Sequence, residues 1–131
     1  MTAYFWIGVG GALGSIARFW ASGFVAQHWG ETFPWGTVVV NVTGSLVIGA
    51  VDALTGPDGL WLAPPAFRQF VMLGILGGYT TFSSFSLQTL SLARDGEWLY
   101  AGGNVVVSVV MCLLAVWLGH SAVTALAVKG H

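Results

Sequence analysis

Residues 77–85, GGYTTFSSF, place five hydroxyl side chains, two glycines and two phenylalanines in nine consecutive positions. They lie within a charge-free run from Gln69 to Ala93. Gly77-Gly78 relaxes the backbone and β-branched Thr80-Thr81 lowers helix propensity, so a helix break is expected here. Non-helical backbone at membrane depth persists only where protein, water or a bound ion satisfies it. The carbonyls freed there are candidate cation ligands. Phe82 and Phe85 stand three apart and share a helix face. On spacing alone that is ordinary core packing. Directly after a hydroxyl-rich break, the same pair can turn its ring edges, which carry partial positive charge, toward an anion.

The remaining polar residues fall on aligned faces. At about 100° per residue, Gly11, Ser15, Arg18 and Ser22 share one face of the first apolar segment. Thr37, Asn41, Ser45 and Asp52 share a face of the second. Asn104 and Ser108 share a face of the last, continuing into Met111, Cys112 and Ala115. Single polar residues in spanning helices are usually interhelical glue. Three such faces and the 77–85 cluster point instead to a common hydrophilic path. It is lined by donors: the Asn41 and Asn104 amides, the hydroxyls of Thr37, Ser45, Thr80, Thr81, Ser83, Ser84 and Ser108, and the Arg18 guanidinium. Donors with one buried cation suit a small anion. A strongly hydrated cation wants carboxylates or converging carbonyls, and Asp52 is the one acid within the apolar segments. Proton-coupled exchange wants a titratable group deep in the membrane; His120 comes late in its segment and reads as an interface residue.

The elements that must position these residues follow from composition. Of 131 residues, 56% are hydrophobic and 7% charged, with a mean hydropathy of +0.80. Soluble domains carry roughly 25% charged residues, so most of this chain must face lipid. A net charge of -1 without a basic patch argues against nucleic acid. The lone Cys112 excludes a disulfide framework or cysteine metal site within one chain. The N-terminus lacks the basic start of a cleaved signal peptide. Apolar segments at 3–27, 35–56, 66–93 and 98–128 each have the length a spanning helix needs. Trp29, Trp35, Trp61, Trp98 and Tyr100 sit near their ends, as interfacial rings do. The expectation is an all-α integral membrane protein: one domain of four transmembrane helices, the third broken near its middle, with no soluble part to house an enzyme. Gly10 and Gly14, and Gly74 and Gly78, form G-x-x-x-G pairs that let helices approach closely.

With GGALGSIAR at 10–18, GTVVVNVTGSLVIG at 36–49 and GILGGYTTFSSF at 74–85, the chain resembles the fluoride-specific ion channel family (Fluc, also called CrcB) over nearly its whole length. The resemblance implies a homodimer of oppositely inserted subunits with two pores, passively exporting fluoride across a bacterial inner membrane and so giving fluoride resistance. By its motifs, Asn41 matches the pore asparagine and Phe82 and Phe85 the pore-lining rings. Thr81, Ser83 and Ser84 belong to the same pore segment. Arg18 matches an arginine of the inner vestibule, and Ser108 a pore-side hydroxyl. The carbonyls of Gly77 and Thr80 match ligands of a structural, non-transported sodium ion at the dimer centre. Two positions depart from the family pattern: Asn104 stands where many relatives have tyrosine, and Ser84 where threonine is frequent. The partners implied are a second copy of the chain, fluoride and membrane lipid. The rival readings are a small multidrug or cation antiporter, which needs a membrane carboxylate in its path, and a non-transporting anchor.

Charge placement generates one test. Cytoplasmic loops normally carry surplus Lys and Arg, yet here Arg68 and Lys129 lie toward the N-terminal side and Arg94 toward the other. Two against one is almost no bias, so both orientations should coexist in one membrane. A cysteine placed in the 95–97 turn, with Cys112 replaced, should be labelled partly from each side of intact vesicles. Labelling from one side alone would refute dual insertion.

Overall fold

The computed structural model describes residues 1–130, which are helical apart from short connections. Helix α1 spans Thr2–Trp29 and stops at Gly30, whose φ of 82° suits glycine. Helix α2 spans Trp35–Thr55, starting directly after Pro34. A third rod is composite. It starts as α3 (Pro65–Arg68), widens into a π-helical stretch (Gln69–Leu76), tightens to the single turn α4 (Gly77–Tyr79), and resumes as α5 (Phe82–Arg94). Helix α6 spans Trp98–Lys129. The stretches Trp35–Thr55, Pro65–Arg94 and Trp98–Lys129 are long and apolar enough to cross a membrane. Helix α1 has 28 residues, but Ser15, Arg18, Ser22 and its glycines dilute its apolar character.

The interruption of the third rod falls at Thr80-Thr81, later than the glycine pair. Gly77 keeps helical dihedrals, φ −63° and ψ −38°, whereas Thr80 (ψ 157°) and Thr81 (φ −151°, ψ 111°) are extended. Gly78 serves packing instead. A Cβ on Gly78 would come within 2.6 Å of the Gly11 carbonyl oxygen of α1.

Helix α2 packs most extensively on α6, and α1 on the π-helical stretch. Both seams are made of backbone against backbone. A Cβ on Gly14 would overlap the Ile75 carbonyl, one on Gly49 the Val116 carbonyl, and one on Gly119 the Leu46 carbonyl. Close approach of this kind replaces the hydrophobic drive that helices lose in lipid. The outside is accordingly apolar, with Phe19, Trp20, Leu99 and Trp117 all exposed.

At the end of α2 a polar clasp holds the 56–64 connection. Arg68 donates to Asp52 Oδ1 at 2.7 Å and to the buried Thr55 hydroxyl at 2.7 Å. His120 Nε2 stands 3.7 Å from the second Asp52 oxygen. The carboxylate on the polar face of α2 is therefore committed to Arg68.

The α1 seam can be tested directly. Gly14→Val should cost about 3 kcal/mol or more, because the added bulk meets a main-chain carbonyl that no rotamer change relieves. Thermal unfolding in detergent should show a lower midpoint, and an unchanged midpoint would contradict this packing.

Candidate functional site

The break is held open by one side chain from α2. Asn41 Nδ2 donates to the Thr81 carbonyl at 3.0 Å, and Asn41 Oδ1 accepts from the Thr81 N–H at 2.7 Å. In an unbroken helix that N–H would bond the carbonyl of Gly77. A second replacement follows three residues on. The Ser84 N–H donates to Thr81 Oγ1 at 3.1 Å, where an unbroken helix would send it to the carbonyl of Thr80. Thr81 is thus the N-cap of α5. The two substitutions release the carbonyls of Gly77 and Thr80, the pair singled out as cation ligands. Neutral carbonyl oxygens are a hard donor set that fits an alkali cation.

The other side of the break is the N-terminus of α5. Its first N–H groups, on Phe82 and Ser83, have no acceptor within the helix, and the helix dipole is positive at this end. Phe82 and Phe85 follow on one face, with ring centroids 5.4 Å apart and planes tilted by 53°. Phe85 is 9% exposed and Phe82 is 77% exposed. Both line a cleft of about 460 Å³ with Asn41, Ser45, Thr81 and Ser108. Gly77 and Thr80 border the same cleft.

A second cavity, about 370 Å³, meets the first at Thr81 and contains Arg18, Ser15, Thr37, Ser84 and Gln88. It shares Ser22, Thr37 and Gln88 with a wider cleft of about 690 Å³ that reaches the 30–34 and 95–97 connections. The three adjoin one another through shared lining residues, from the 30–34 and 95–97 connections to the phenylalanines. Arg18 makes no ion pair among the described residues, and no carboxylate lines its own cavity, whereas Glu31, Asp95 and Glu97 line the wider cleft.

Three predicted site residues lie elsewhere or point elsewhere. Asn104, 1% exposed, bridges α5 and α6: its Nδ2 donates to Thr89 Oγ1 at 2.9 Å. Ser108 lines the cleft, but its hydroxyl donates to Asn104 Oδ1 at 3.2 Å. Ser83 is exposed and lies 3.3 Å from the Thr81 hydroxyl, outside both cavities. Gln88, in contrast, is absent from the residues that sequence reading picks out. Its Oε1 is buried without a hydrogen-bond partner among the described residues, and it borders the cavity that holds Arg18. A buried unpaired amide oxygen is costly unless the cavity supplies a partner. The available signal was Ser84 and Gln88 at i, i+4, one polar stripe down α5.

Comparison with known proteins shows the family. The family model described as "CrcB-like protein, Camphor Resistance (CrcB)" matches residues 5–120. The chain belongs to the CrcB family. It is 64% identical over 126 residues to "Fluoride-specific ion channel FluC" of Opitutus terrae, covering 96% of each chain. It is 60% identical over 117 residues to the protein of the same name from Rhodospirillum rubrum, covering 89% of this chain and 91% of that one. With the Methylocella silvestris protein, also so named, identity is 58% over 123 residues and coverage 94% of each. The family match covers the residues described above, from Arg18 of α1 to Ser108 of α6.

Removing the α2 clamp should destabilise the fold in a predictable way. Asn41→Leu keeps the volume but strands the N–H of Thr81, at about 1–3 kcal/mol, while the Thr81 carbonyl keeps its place as the first acceptor of α5. The unfolding midpoint should fall in proportion. An unchanged midpoint would mean that Asn41 does not hold the break.

Proposed function

We propose that this protein is a fluoride channel of a bacterial inner membrane, passing the anion passively outward and so conferring fluoride resistance. The observation that carries the reading is the Thr80-Thr81 break, where a helix N-terminus, hydroxyls and two phenylalanines converge on one cleft. It is supported by relatives named fluoride-specific ion channels. Fluoride holds its water tightly, so a path must offer replacement partners along its length. Arg18 attracts the anion into the inner cavity, Ser84 and Thr81 offer hydroxyl donors, and a half-turn of the Gln88 amide exchanges Oε1 for a donor. One N–H of Asn41 remains after its bond to Thr81, and the ring edges of Phe82 and Phe85 complete the sequence.

In this reading the functional unit has four spans per subunit and is an antiparallel homodimer. The 77% exposure of Phe82, a pore-lining ring on the outside of one chain, fits cover by a partner. Two-fold symmetry would bring the break of each chain to a shared axis and duplicate the ion path, giving two pores. The carbonyls of Gly77 and Thr80 from both chains would hold a structural sodium ion. That ion would supply fixed positive charge and tie the two breaks together.

An antiporter is the weaker reading because Asp52, the carboxylate it would need, is paired with Arg68. Purified protein in liposomes separates the possibilities. Fluoride efflux is expected without a coupled proton or cation gradient, whereas an anchor gives none and an antiporter requires the gradient. Phe82→Ile and Phe85→Ile retain apolar bulk and remove the ring edges. Each should cut efflux about tenfold, corresponding to about 1.4 kcal/mol at the barrier. Parental efflux from correctly assembled variants would sink the aromatic path.

A further inference from the structure

Three successive residues of the broken rod are received by one turn of α2. Tyr79 OH lies 2.9 Å from Thr43 Oγ1, Thr81 is clamped by Asn41, and between them Thr80 seats against Gly44. The Thr80 side chain has little freedom there. Its hydroxyl donates to the Leu76 carbonyl at 2.9 Å, and β-branching restricts χ1. That bond turns the methyl group, Cγ2, toward α2, where a Cβ on residue 44 would overlap it. The Tyr79 ring is next nearest, at 3.2 Å from the same position.

We propose that Gly44 is a positioning residue for the cation site, its missing side chain forming the seat for the Thr80 methyl group. The inference rests on the reading that the Gly77 and Thr80 carbonyls hold sodium, and adds what sets their aim. Asn41 holds Thr81 from one side by hydrogen bonds. Gly44, three residues on along the same helix, sets the depth at which Thr80 approaches. Any side chain at 44 pushes Thr80 outward by its methyl group, and the carbonyl of Thr80 must move with its backbone. Helix packing alone does not require this: the atom that a Cβ would strike is a side-chain methyl of the break, unlike the main-chain carbonyls met at Gly14, Gly49 and Gly119.

This difference makes the proposal testable by a compensating change. Thr80→Ser removes Cγ2 and keeps both the hydroxyl bond to Leu76 and the main-chain carbonyl. Gly44→Ala, Thr80→Ser and the double variant would be compared with the parent, each as assembled protein in liposomes and in detergent. Two quantities are read: the sodium concentration for half-maximal fluoride efflux, and the thermal midpoint of dimer dissociation. Gly44→Ala should raise the half-activating sodium concentration about tenfold, the change expected from overpacking strain of ordinary size. Adding Thr80→Ser should bring it back to the value of Thr80→Ser alone, with the dissociation midpoint recovering in parallel. An unshifted sodium requirement in Gly44→Ala, or a shift that Thr80→Ser leaves in place, would overturn the proposal. If Gly44→Ala does not assemble, recovery of assembly in the double variant supports the seat, and failure of both overturns it. A parent with no sodium dependence refutes the sodium reading itself, and the seat then stands or falls on rescue of the dissociation midpoint.

Discussion

A helix interrupted inside a membrane strands main-chain groups where no bulk water can reach them, and the third rod does so at Thr80-Thr81. The Asn41 amide meets this cost by bonding both polar groups of Thr81, as a short piece of neighbouring strand would. Everything else at the site depends on that exchange. Because the Thr81 N–H turns to Asn41, the Gly77 carbonyl loses its helical partner. Because the Thr81 hydroxyl caps Ser84, the Thr80 carbonyl loses its own, and α5 begins afresh with a positive end. A single side chain thereby separates carbonyl oxygens on one side of the break from helix N–H groups and two phenylalanines on the other.

The clamp works only if α2 lies close to the broken rod, and the glycines set that distance. On one flank, α1 meets the π-helical stretch and α4 through Gly10, Gly14, Gly74 and Gly78; on the other, α2 meets α6 through Gly49 and Gly119. Backbone contact on both flanks leaves the helices little room to slide. Polar side chains then face inward without exposing their backbone. The apolar ones face outward, where lipid or another copy of the chain is a better neighbour than water.

The polar residues divide between two tasks that their chemistry does not distinguish. Asn41 and Asn104 are both amides on inward faces. One holds the break, and the other joins α5 to α6 through Thr89. Arg68 and Arg18 are both guanidinium groups on helices. One is neutralised by Asp52, which fastens a loop; the other faces a cavity with no counter-charge among the described residues. Pairing inside the fold decides which polar group remains available to an ion.

Sequence alone determined that this chain is built for lipid, that it is helical, and that residues 77–85 would interrupt a helix. These properties follow from composition, from periodicity and from the propensities of neighbouring residues, all of which are local. The three motifs also sufficed to indicate the CrcB family. Tertiary structure decided the rest. The break sits at the threonine pair because Gly78 must remain in the helix to pack on Gly11. Asn41 faces Thr81 across 40 positions of sequence, a pairing that no periodicity encodes. Asn104 turns to Thr89, Ser108 turns to Asn104, and Gln88 is left with an unpaired oxygen, because only packing chooses among the partners within reach. A face can be read from spacing; what each side chain on it bonds to depends on which helix arrives opposite.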